Sequence, residues 1–272
     1  MTDNGRPQIL LTNDDGIRSP GLWAAAEALS ALGYVTVAAP REQASGSGRS
    51  MPPSSDGSIR RQQVSVGGQQ WTVYAIGGSP AQTVQHALFE LMPERPDLVV
   101  AGINYGENVT TSVTISGTVG AAMEGAAFGV PALAISLETD RIHHLSYSDL
   151  IDFQVAAHFA QLFGRRLLEQ RLHTDVDLLK IDVPSSATIE TPWKLTRLER
   201  SRYYLPRRPE REDIAEPGRV DYDVISDATG FTPGSDAYAL RVERVVAVTP
   251  LSLDMTSRVD FEDLQQSLMA AS

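Results

Sequence analysis

The chain has 272 residues, of which 42% are hydrophobic and 21% charged, and its formal net charge is −11. This length and composition suffice for one large domain, or a domain with an appendage, around a sizeable core. The acidic balance argues against a protein that holds nucleic acid on a general basic surface. Cysteine is absent, which excludes disulfides and thiolate metal sites.

Membrane insertion and export are not expected either. No apolar run in the sequence is long enough to span a bilayer. Residues 1–6 are polar, which is not the pattern of a secretory signal. We therefore expect a cytosolic protein, in keeping with the absence of cysteine.

The first predicted strand ends beside two adjacent carboxylates. Residues 9–11 are an apolar run of the kind found in buried strands, and Asp14 and Asp15 follow closely. Residues 22–29 then have a helical composition, with Pro20 near the first turn. The acids therefore lie at the carboxyl edge of an α/β sheet, where ligands bind and where a divalent cation would relieve their repulsion. The alternative is that one carboxylate caps the helix and the other faces solvent.

Strands and helices continue to alternate after this first helix. The remaining predicted core elements are a strand over 34–39, a hairpin over 63–76, a helix from Ser79 and Pro80, strands over 98–101, 131–136 and 178–184, and helices over 121–128 and 149–170. Parallel strands joined by helices require right-handed crossovers. The alternation predicts an α/β fold with a doubly wound, mostly parallel sheet over residues 1–185.

The pattern changes after residue 185. The predicted elements there are an extended segment over 194–202, a solvated loop at the charge run 207–213, strands over 220–225 and 237–249, and a short helix over 264–271. We therefore expect residues 186–272 to form a β-rich extension that exchanges between subunits.

The loop after the second strand, residues 41–61, is rich in Ser, Gly, Pro and Gln. Its Gly46 and Gly48 follow a strand, as in a dinucleotide-binding fingerprint, but Met51 occupies the place of the third glycine and a Pro-Pro pair follows. That fingerprint is therefore excluded. Because the loop leaves the carboxyl edge of a core strand, we expect a mobile loop beside the ligand site, with a plain surface linker as the alternative.

Polar residues also follow the third core strand. Asn104 and Asn108 lie in a glycine-containing turn, and a Ser-Gly-Thr sequence at 116–118 then opens a helix. A helix start offers free N–H groups and hydroxyls, which suit an anion. An ordinary N-cap would explain Ser116 but not the amides and glycines before it. We therefore expect an anion site at the same edge as the acids.

Several motifs occur in a fixed order along the chain. They are Thr12-Asn13-Asp14-Asp15-Gly16-Ile17, Ala39-Pro40 followed by Ser45-Gly46, Gly102-Ile103-Asn104-x-Gly106-x-Asn108, Ser116-Gly117-Thr118 with Ala121-Ala122-Met123-Glu124-Gly125, and Thr249-Pro250-Leu251. This combination resembles the SurE survival-protein family of 5'/3'-nucleotidases, over residues 9–256. The first and third motifs together are specific, whereas either one alone would be weak.

The resemblance implies a cytoplasmic enzyme with a Rossmann-like core. It further implies a C-terminal extension used in oligomerisation, as a homodimer or homotetramer, and hydrolysis of nucleoside monophosphates with one divalent metal ion per subunit. Base preference, the choice between 5'- and 3'-nucleotides and the use of polyphosphate stay open. No membrane and no nucleic-acid scaffold is expected as a partner.

The resemblance also implies roles for individual residues. The metal ligands would be Asp14, Asp15, Ser45 and Asn104, whose oxygen atoms suit Mg²⁺, Mn²⁺ or Ca²⁺. Asp14 or Asp15 would also be the catalytic residue that takes a proton from the attacking water. The substrate- and phosphate-binding residues would be Asn13, Gly46, Asn108, Ser116, Gly117 and Thr118.

The chain departs from the family pattern at a few positions. Ile115 stands where the family often has Tyr or His, Thr110 where it commonly has Gly, and Gln82-Thr83 where it has Asp-Cys. None of these is an implied metal ligand. They bear on base preference and on the pocket wall.

Other phosphate-related functions fit less well. An aspartyl-phosphate phosphatase would need an aspartate at Asn13, because an amide cannot form the acyl phosphate. A receiver-like or nucleotide-sensing module would need a phospho-accepting aspartate after the third core strand, where Asn104 stands. The sequence lacks the P-loop motif and the Gly-x-Ser-x-Gly motif of serine hydrolases.

Overall fold

The molecule is organised around one large sheet in the computed structural model, which describes residues 5–270. The strands are β1 (Gln8–Thr12), β2 (Tyr34–Pro40), β3 (Ile59–Val66), β4 (Gln69–Ile76), β5 (Leu98–Tyr105), β6 (Ala132–Leu137), β7 (Leu178–Val183), β8 (Trp193–Leu195), β9 (Tyr204–Arg207), β10 (Asp221–Val224) and β11 (Val246–Leu251). Nine of them form the central sheet in the order β3-β4-β2-β1-β5-β6-β7-β11-β8, and β9 pairs with β10 separately.

The middle of this sheet is parallel. Strands β4, β2, β1, β5, β6 and β7 run in one direction, while β3 and β11 pair antiparallel at either side. Ile9, Leu10 and Leu11 of β1 are fully buried, as expected for strands covered on both faces. The carboxyl ends of β2, β1 and β5 are neighbours, so the loops that follow them meet at one edge.

The helices cover both faces of the sheet. They are α1 (Pro20–Ser30), α2 (Pro80–His86), α3 (Gly117–Ala127), α4 (Gln154–Glu169), α5 (Asp236–Tyr238) and α6 (Phe261–Ala270). Helices α1 and α4 pack with Ile9 and Leu11 on one face, and α2 and α3 pack with Leu10 on the other. The predicted doubly wound α/β fold is therefore confirmed.

Local sequence signals explain several element boundaries. Pro20 is the first residue of α1, and Ser79 caps α2 in a reciprocal box with Gln82. The hairpin predicted over 63–76 is present as β3 and β4. The proline, capping and turn residues therefore mark the same element boundaries that the apolar pattern predicts.

Two predicted elements need correction. The helix predicted over 149–170 begins at Gln154, because the Asp152 carboxylate accepts the Gln154 N–H at 2.9 Å and Phe153 turns into the core against Tyr105. The strand predicted over 237–249 is helical in its first half. Ser235 caps α5, which continues as a helical turn to Glu243, and only then does β11 begin.

The segment after residue 185 contributes to the main sheet as well as to separate structure. Strand β11 pairs with β7 and β8 with β11, whereas β9 and β10 form their own hairpin. The division into 1–185 and 186–272 stays a prediction. The final predicted helix is present as α6, except that Ala271 lies outside the described residues. Within residues 5–270, no helix is both long and apolar enough to cross a membrane.

Candidate active site

The turn after β1 presents Asp14 and Asp15. The side-chain amide of Asn13 spans this turn, because its Nδ2 donates to the Gly16 carbonyl and its Oδ1 accepts the Gly16 N–H, both at 3.1 Å. Gly16 has a φ of +97°, which favours glycine. Asn13 thus fixes the backbone that carries the two acids.

Asp14 lies against the start of α3. Its side chain is buried, and its Oδ1 accepts a hydrogen bond from the Thr118 hydroxyl. Burial raises the pKa of Asp14, while hydrogen bonds from Thr118 and from the backbone of Gly117 oppose this rise. A Cβ on Gly117 would lie 2.7 Å from the Cβ of Asp14, so glycine permits this close approach.

Asp15 is even more buried, with 1% of its surface exposed. Its carboxylate accepts hydrogen bonds from Gln43 Nε2 at 3.0 Å and from the Tyr105 N–H at 3.3 Å, and the Tyr147 hydroxyl donates to its carbonyl at 2.9 Å. Burial and the charge of Asp14 hold the pKa of Asp15 well above its ordinary value.

Neither carboxylate has a cationic side chain as a partner among residues 5–270. Arg18 lies nearby but contacts the Tyr147 ring and Glu42 instead. The alternative of a helix cap and a solvated acid is wrong, because both carboxylates are buried and Ser19 is the N-cap residue of α1. Two buried, repelling carboxylates without a cation are an energetically costly arrangement.

Asn104 joins this group from β5. The Thr118 Oγ1 lies 3.3 Å from Asn104 Oδ1 while it donates to Asp14, so one hydroxyl bridges both side chains. Asn104 Nδ2 donates to the Gly106 carbonyl at 2.7 Å, which turns Oδ1 toward Thr118. Three predicted site residues from three segments of the chain therefore converge.

The loop after β2 approaches through its backbone. The Ala44 N–H donates to the Asp14 carbonyl at 2.7 Å, and the next two residues, Ser45 and Gly46, are exposed. The structure therefore brings Ser45 to the rim of the site without a side-chain contact to the acids among the described residues. Ser47 Oγ, by contrast, is buried and has no hydrogen-bond partner in that part of the chain.

The other predicted phosphate-binding residues have structural partners. Ser116 Oγ accepts the Val119 N–H at 3.1 Å and so caps α3. Asn108 Nδ2 donates to Ser136 Oγ at 2.9 Å, and the Asn108 N–H donates to Asp182 at 2.7 Å. These contacts fix the start of α3 and hold Asn108 against β6 and β7.

Sequence reasoning missed several residues that shape the site. Gln43, Tyr105 and Tyr147 all contact Asp15, yet no local motif marks them. Lys180 and Asp182 are fully buried in β7, and their position two residues apart inside an apolar strand was an available signal. That signal indicates a buried ion pair.

The donors around Asp14 fit a hard divalent cation. Carboxylate, amide and hydroxyl oxygens suit Mg²⁺, Mn²⁺ or Ca²⁺ rather than a soft-ligand zinc site. Among the described residues, no group of three or more His, Cys, Asp and Glu could hold a metal ion. A cation at this edge would therefore need Asn104 and a serine beside the two aspartates.

Comparisons with known proteins identify the family of this chain. A family model described as survival protein SurE matches residues 9–204. The chain is 46% identical to the 5'-nucleotidase SurE of Thermococcus kodakarensis, covering 97% of this chain and 99% of the relative, and 45% identical to that of Thermococcus gammatolerans, covering 97% of each. The crystal structure of the SurE protein from Aquifex aeolicus is similar, with a TM-score of 0.73 and 29% identity over 97% of this chain and 99% of that one. The chain belongs to the SurE survival-protein family.

Proposed function

We propose that this chain is a divalent-metal-dependent 5'-nucleotidase, a phosphomonoesterase that converts nucleoside monophosphates to nucleoside and phosphate. The observation that carries the proposal is the buried Asp14–Asp15 pair, which has no cationic side chain as a partner in the described structure. Relatives covering nearly the whole chain are named 5'-nucleotidase, which supports the same reaction.

The ion would be held by Asp14, Asp15, Asn104 and Ser45. The Thr118 hydroxyl contacts both Asp14 and Asn104, and Ser45 lies at the rim of the site. When bound, Mg²⁺ or Mn²⁺ would supply Lewis-acid polarisation of the phosphoryl group and lower the pKa of water beside it.

The remaining chemistry falls to the chain itself. We assign proton abstraction from the attacking water to Asp14 or Asp15, whose carboxylates would lie beside the proposed ion and its bound water. The phosphate would contact the groups at the start of α3 and in the neighbouring loops. These proposed contacts are Asn13, Gly46, Asn108, Ser116, Gly117 and Thr118.

The proposal includes a cytoplasmic homodimer or homotetramer. Helix α6 supports an assembled state, because it buries none of its residues and exposes Phe261, Leu264 and Leu268. Apolar side chains at helical spacing on an exposed element suit contact with another chain.

A substrate panel tests the reaction. Phosphate release would be measured from 5'- and 3'-nucleoside monophosphates and from polyphosphate, with Mg²⁺, Mn²⁺ or Ca²⁺ and with a chelator. We expect release from 5'-nucleotides that the chelator abolishes and a divalent ion restores. Nucleotide binding without phosphate release would replace the enzyme with a nucleotide sensor, and release in chelator would contradict the metal requirement.

A further inference from the structure

A cavity of about 400 Å³ opens beside the acids, between the loop after β2 and the end of β4. Its size falls within the range of about 300–1,000 Å³ that is typical of small-molecule sites. Residues around it include Arg41, Gln43, Ser47, Ser50, Asp56 and Gly77. No residue of the proposed metal set forms its wall, so the cavity adjoins the reaction centre without being part of it.

The inner end of the cavity adjoins the two acids. Gln43 lines it and donates to Asp15 Oδ1 at 3.0 Å. Ser47 also lines it, and its buried Oγ has no hydrogen-bond partner among residues 5–270. This Oγ lies 2.7 Å from where a Cβ on Gly117 would be, next to Asp14. A group attached to a phosphate at the acids could therefore extend into this cavity.

The outer end carries an ion pair. Arg41 Nη2 donates to Asp56 Oδ2 at 2.8 Å, Arg41 Nη1 donates to Ser58 Oγ at 2.8 Å, and the Ser58 N–H donates to Asp56 Oδ1 at 2.9 Å. The side chains of Arg41 and Asp56 are 25% and 55% exposed, so both keep a face toward solvent. These hydrogen bonds lower the pKa of Asp56 to about 2, so its carboxylate is ionised at neutral pH.

The outer end carries no net positive charge, which bears on the kind of ligand it suits. Because Asp56 neutralises Arg41, the pair offers adjacent donors and acceptors with no net positive charge. A further phosphate group would find no free cation there, whereas the ribose hydroxyls and base edges of a nucleoside can use both partners. Ser47, Ser50 and Ser54 add hydroxyls, and the lining contains no aromatic ring for stacking.

We propose that this cavity is the nucleoside subsite of the chain, with the Arg41–Asp56 pair hydrogen-bonded to the ribose or base. This inference rests on the proposed nucleotidase function and adds the residues that distinguish a nucleotide from other phosphate monoesters. The recognition uses hydrogen bonds rather than stacking.

Gly77 provides a way to displace the pair without removing its charges. A Cβ on Gly77 would overlap Asp56 Oδ1 and would lie 2.8 Å from Arg41 Nη2. Gly77 is not among the positive-φ glycines, so its backbone accepts alanine. Gly77→Ala therefore moves the ion pair while the sheet stays unchanged.

The test compares two substrates in Gly77→Ala, Asp56→Ala and the wild type. The kcat/KM for each nucleoside 5'-monophosphate is divided by the kcat/KM for p-nitrophenyl phosphate, which has no nucleoside. We expect this ratio to fall by about tenfold, the loss of roughly one polar contact. Lys194→Gln, which removes an exposed ion pair with Glu243, is the matched control and should leave the ratio unchanged.

An unchanged ratio in folded Gly77→Ala and Asp56→Ala would overturn the subsite, as would an equal loss on both substrates. If the wild type hydrolyses neither substrate, the nucleotidase function fails and the subsite is judged by binding alone. Ligand-detected NMR with adenosine and guanosine then decides. Binding that is lost in Gly77→Ala supports the subsite, and no binding to the wild type overturns it.

Discussion

Two groups of buried carboxylates in this molecule handle their charge in opposite ways. Asp182 and Asp236 are fully buried, and both accept hydrogen bonds from the ammonium group of the equally buried Lys180. Asp14 and Asp15 are buried to a similar extent, but among residues 5–270 their hydrogen bonds come from neutral groups. The first group contains its own cation, and the second lacks one.

This difference bears directly on function. Burial acts to lower the pKa of Lys180, but the charges of Asp182 and Asp236 outweigh it and raise the pKa, so the lysine stays charged. Uncompensated buried carboxylates cost several kcal/mol each. The group formed by Lys180, Asp182 and Asp236 therefore supplies its own cation and stabilises the fold. The Asp14–Asp15 pair instead suits an added divalent cation.

The largest effect is expected from a substitution in the Asp14–Asp15 pair. Asp14→Asn should lower kcat/KM for nucleoside monophosphates by about a thousandfold or more, because a metal ligand worth several kcal/mol of transition-state stabilisation is lost. The metal-free variant should be as stable as the wild type or more so, since one of two repelling charges is gone. Steady-state kinetics and urea denaturation measure both, with the exposed Asp175→Asn as control. Near-normal turnover by folded Asp14→Asn would refute the assignment.

Removing the cation from the group of Lys180, Asp182 and Asp236 should lower the stability of the fold. Lys180→Met leaves Asp182 and Asp236 buried without a cation and should lower the free energy of unfolding by about 3–5 kcal/mol. Urea denaturation measures this loss. The double variant Lys180→Met with Asp182→Asn should recover part of it, because one orphaned charge is removed. A loss below about 1 kcal/mol would mean that the ion pairs of Lys180 contribute little to the free energy of unfolding.

Glu107 is a further buried carboxyl that lies outside both of these groups. The Tyr203 hydroxyl donates to its Oε1, Arg241 donates to that same hydroxyl, and Oε2 has no partner among the described residues. Burial raises the pKa of Glu107 from 4.5 to about 7. The folded state therefore binds this proton more tightly than the unfolded state does.

The pH dependence of stability follows from this shift. The free energy of unfolding should fall by up to about 3 kcal/mol as the pH rises from about 4.5 to about 7, because the unfolded state releases this proton in that range while the folded state still holds it. Glu107→Gln should flatten this part of the curve while keeping an acceptor for Tyr203. Urea denaturation at a series of pH values is the measurement, and parallel curves for the two proteins would contradict it.

The smallest effect is expected at Thr110, a strained residue that is hydrogen-bonded to Asp236. Thr110 has a φ of +63°, and its N–H donates to Asp236 at 3.0 Å. A β-branched residue in the left-handed region costs about 1–2 kcal/mol, so Thr110→Gly should raise the free energy of unfolding by up to about 1 kcal/mol. Thr111→Gly, at an ordinary φ, should lower it by about that amount. Chemical denaturation measures the free energy of unfolding of both variants. An equal change in Thr110→Gly and Thr111→Gly would contradict this prediction.

Local sequence patterns predicted the parts of this molecule that depend on local physics. The apolar runs of β1 and β7 predicted buried strands, and Ser79 with Pro80 predicted the start of α2. The pattern also predicted that Asp14 and Asp15 follow β1 at the carboxyl edge. Periodicity and capping suffice for such elements, because their causes lie within a few residues.

The contacts that complete the site lie far apart in sequence. Thr118 is separated by 104 positions from Asp14, and Lys180 by 56 from Asp236. Such pairings depend on tertiary packing, which residue spacing does not encode. The strand predicted over 237–249 failed for a local reason instead, since Ser235 caps a helical turn that overrode the β-type composition following it.

Calorimetric titration with Mn²⁺ of the wild type, Asp14→Asn and Asp175→Asn shows whether the two buried aspartates hold a cation. We expect one ion bound per chain in the wild type and in Asp175→Asn, and loss of that ion in Asp14→Asn. Equal Mn²⁺ uptake by folded Asp14→Asn, or no uptake by the wild type, would contradict a cation held between the two buried aspartates.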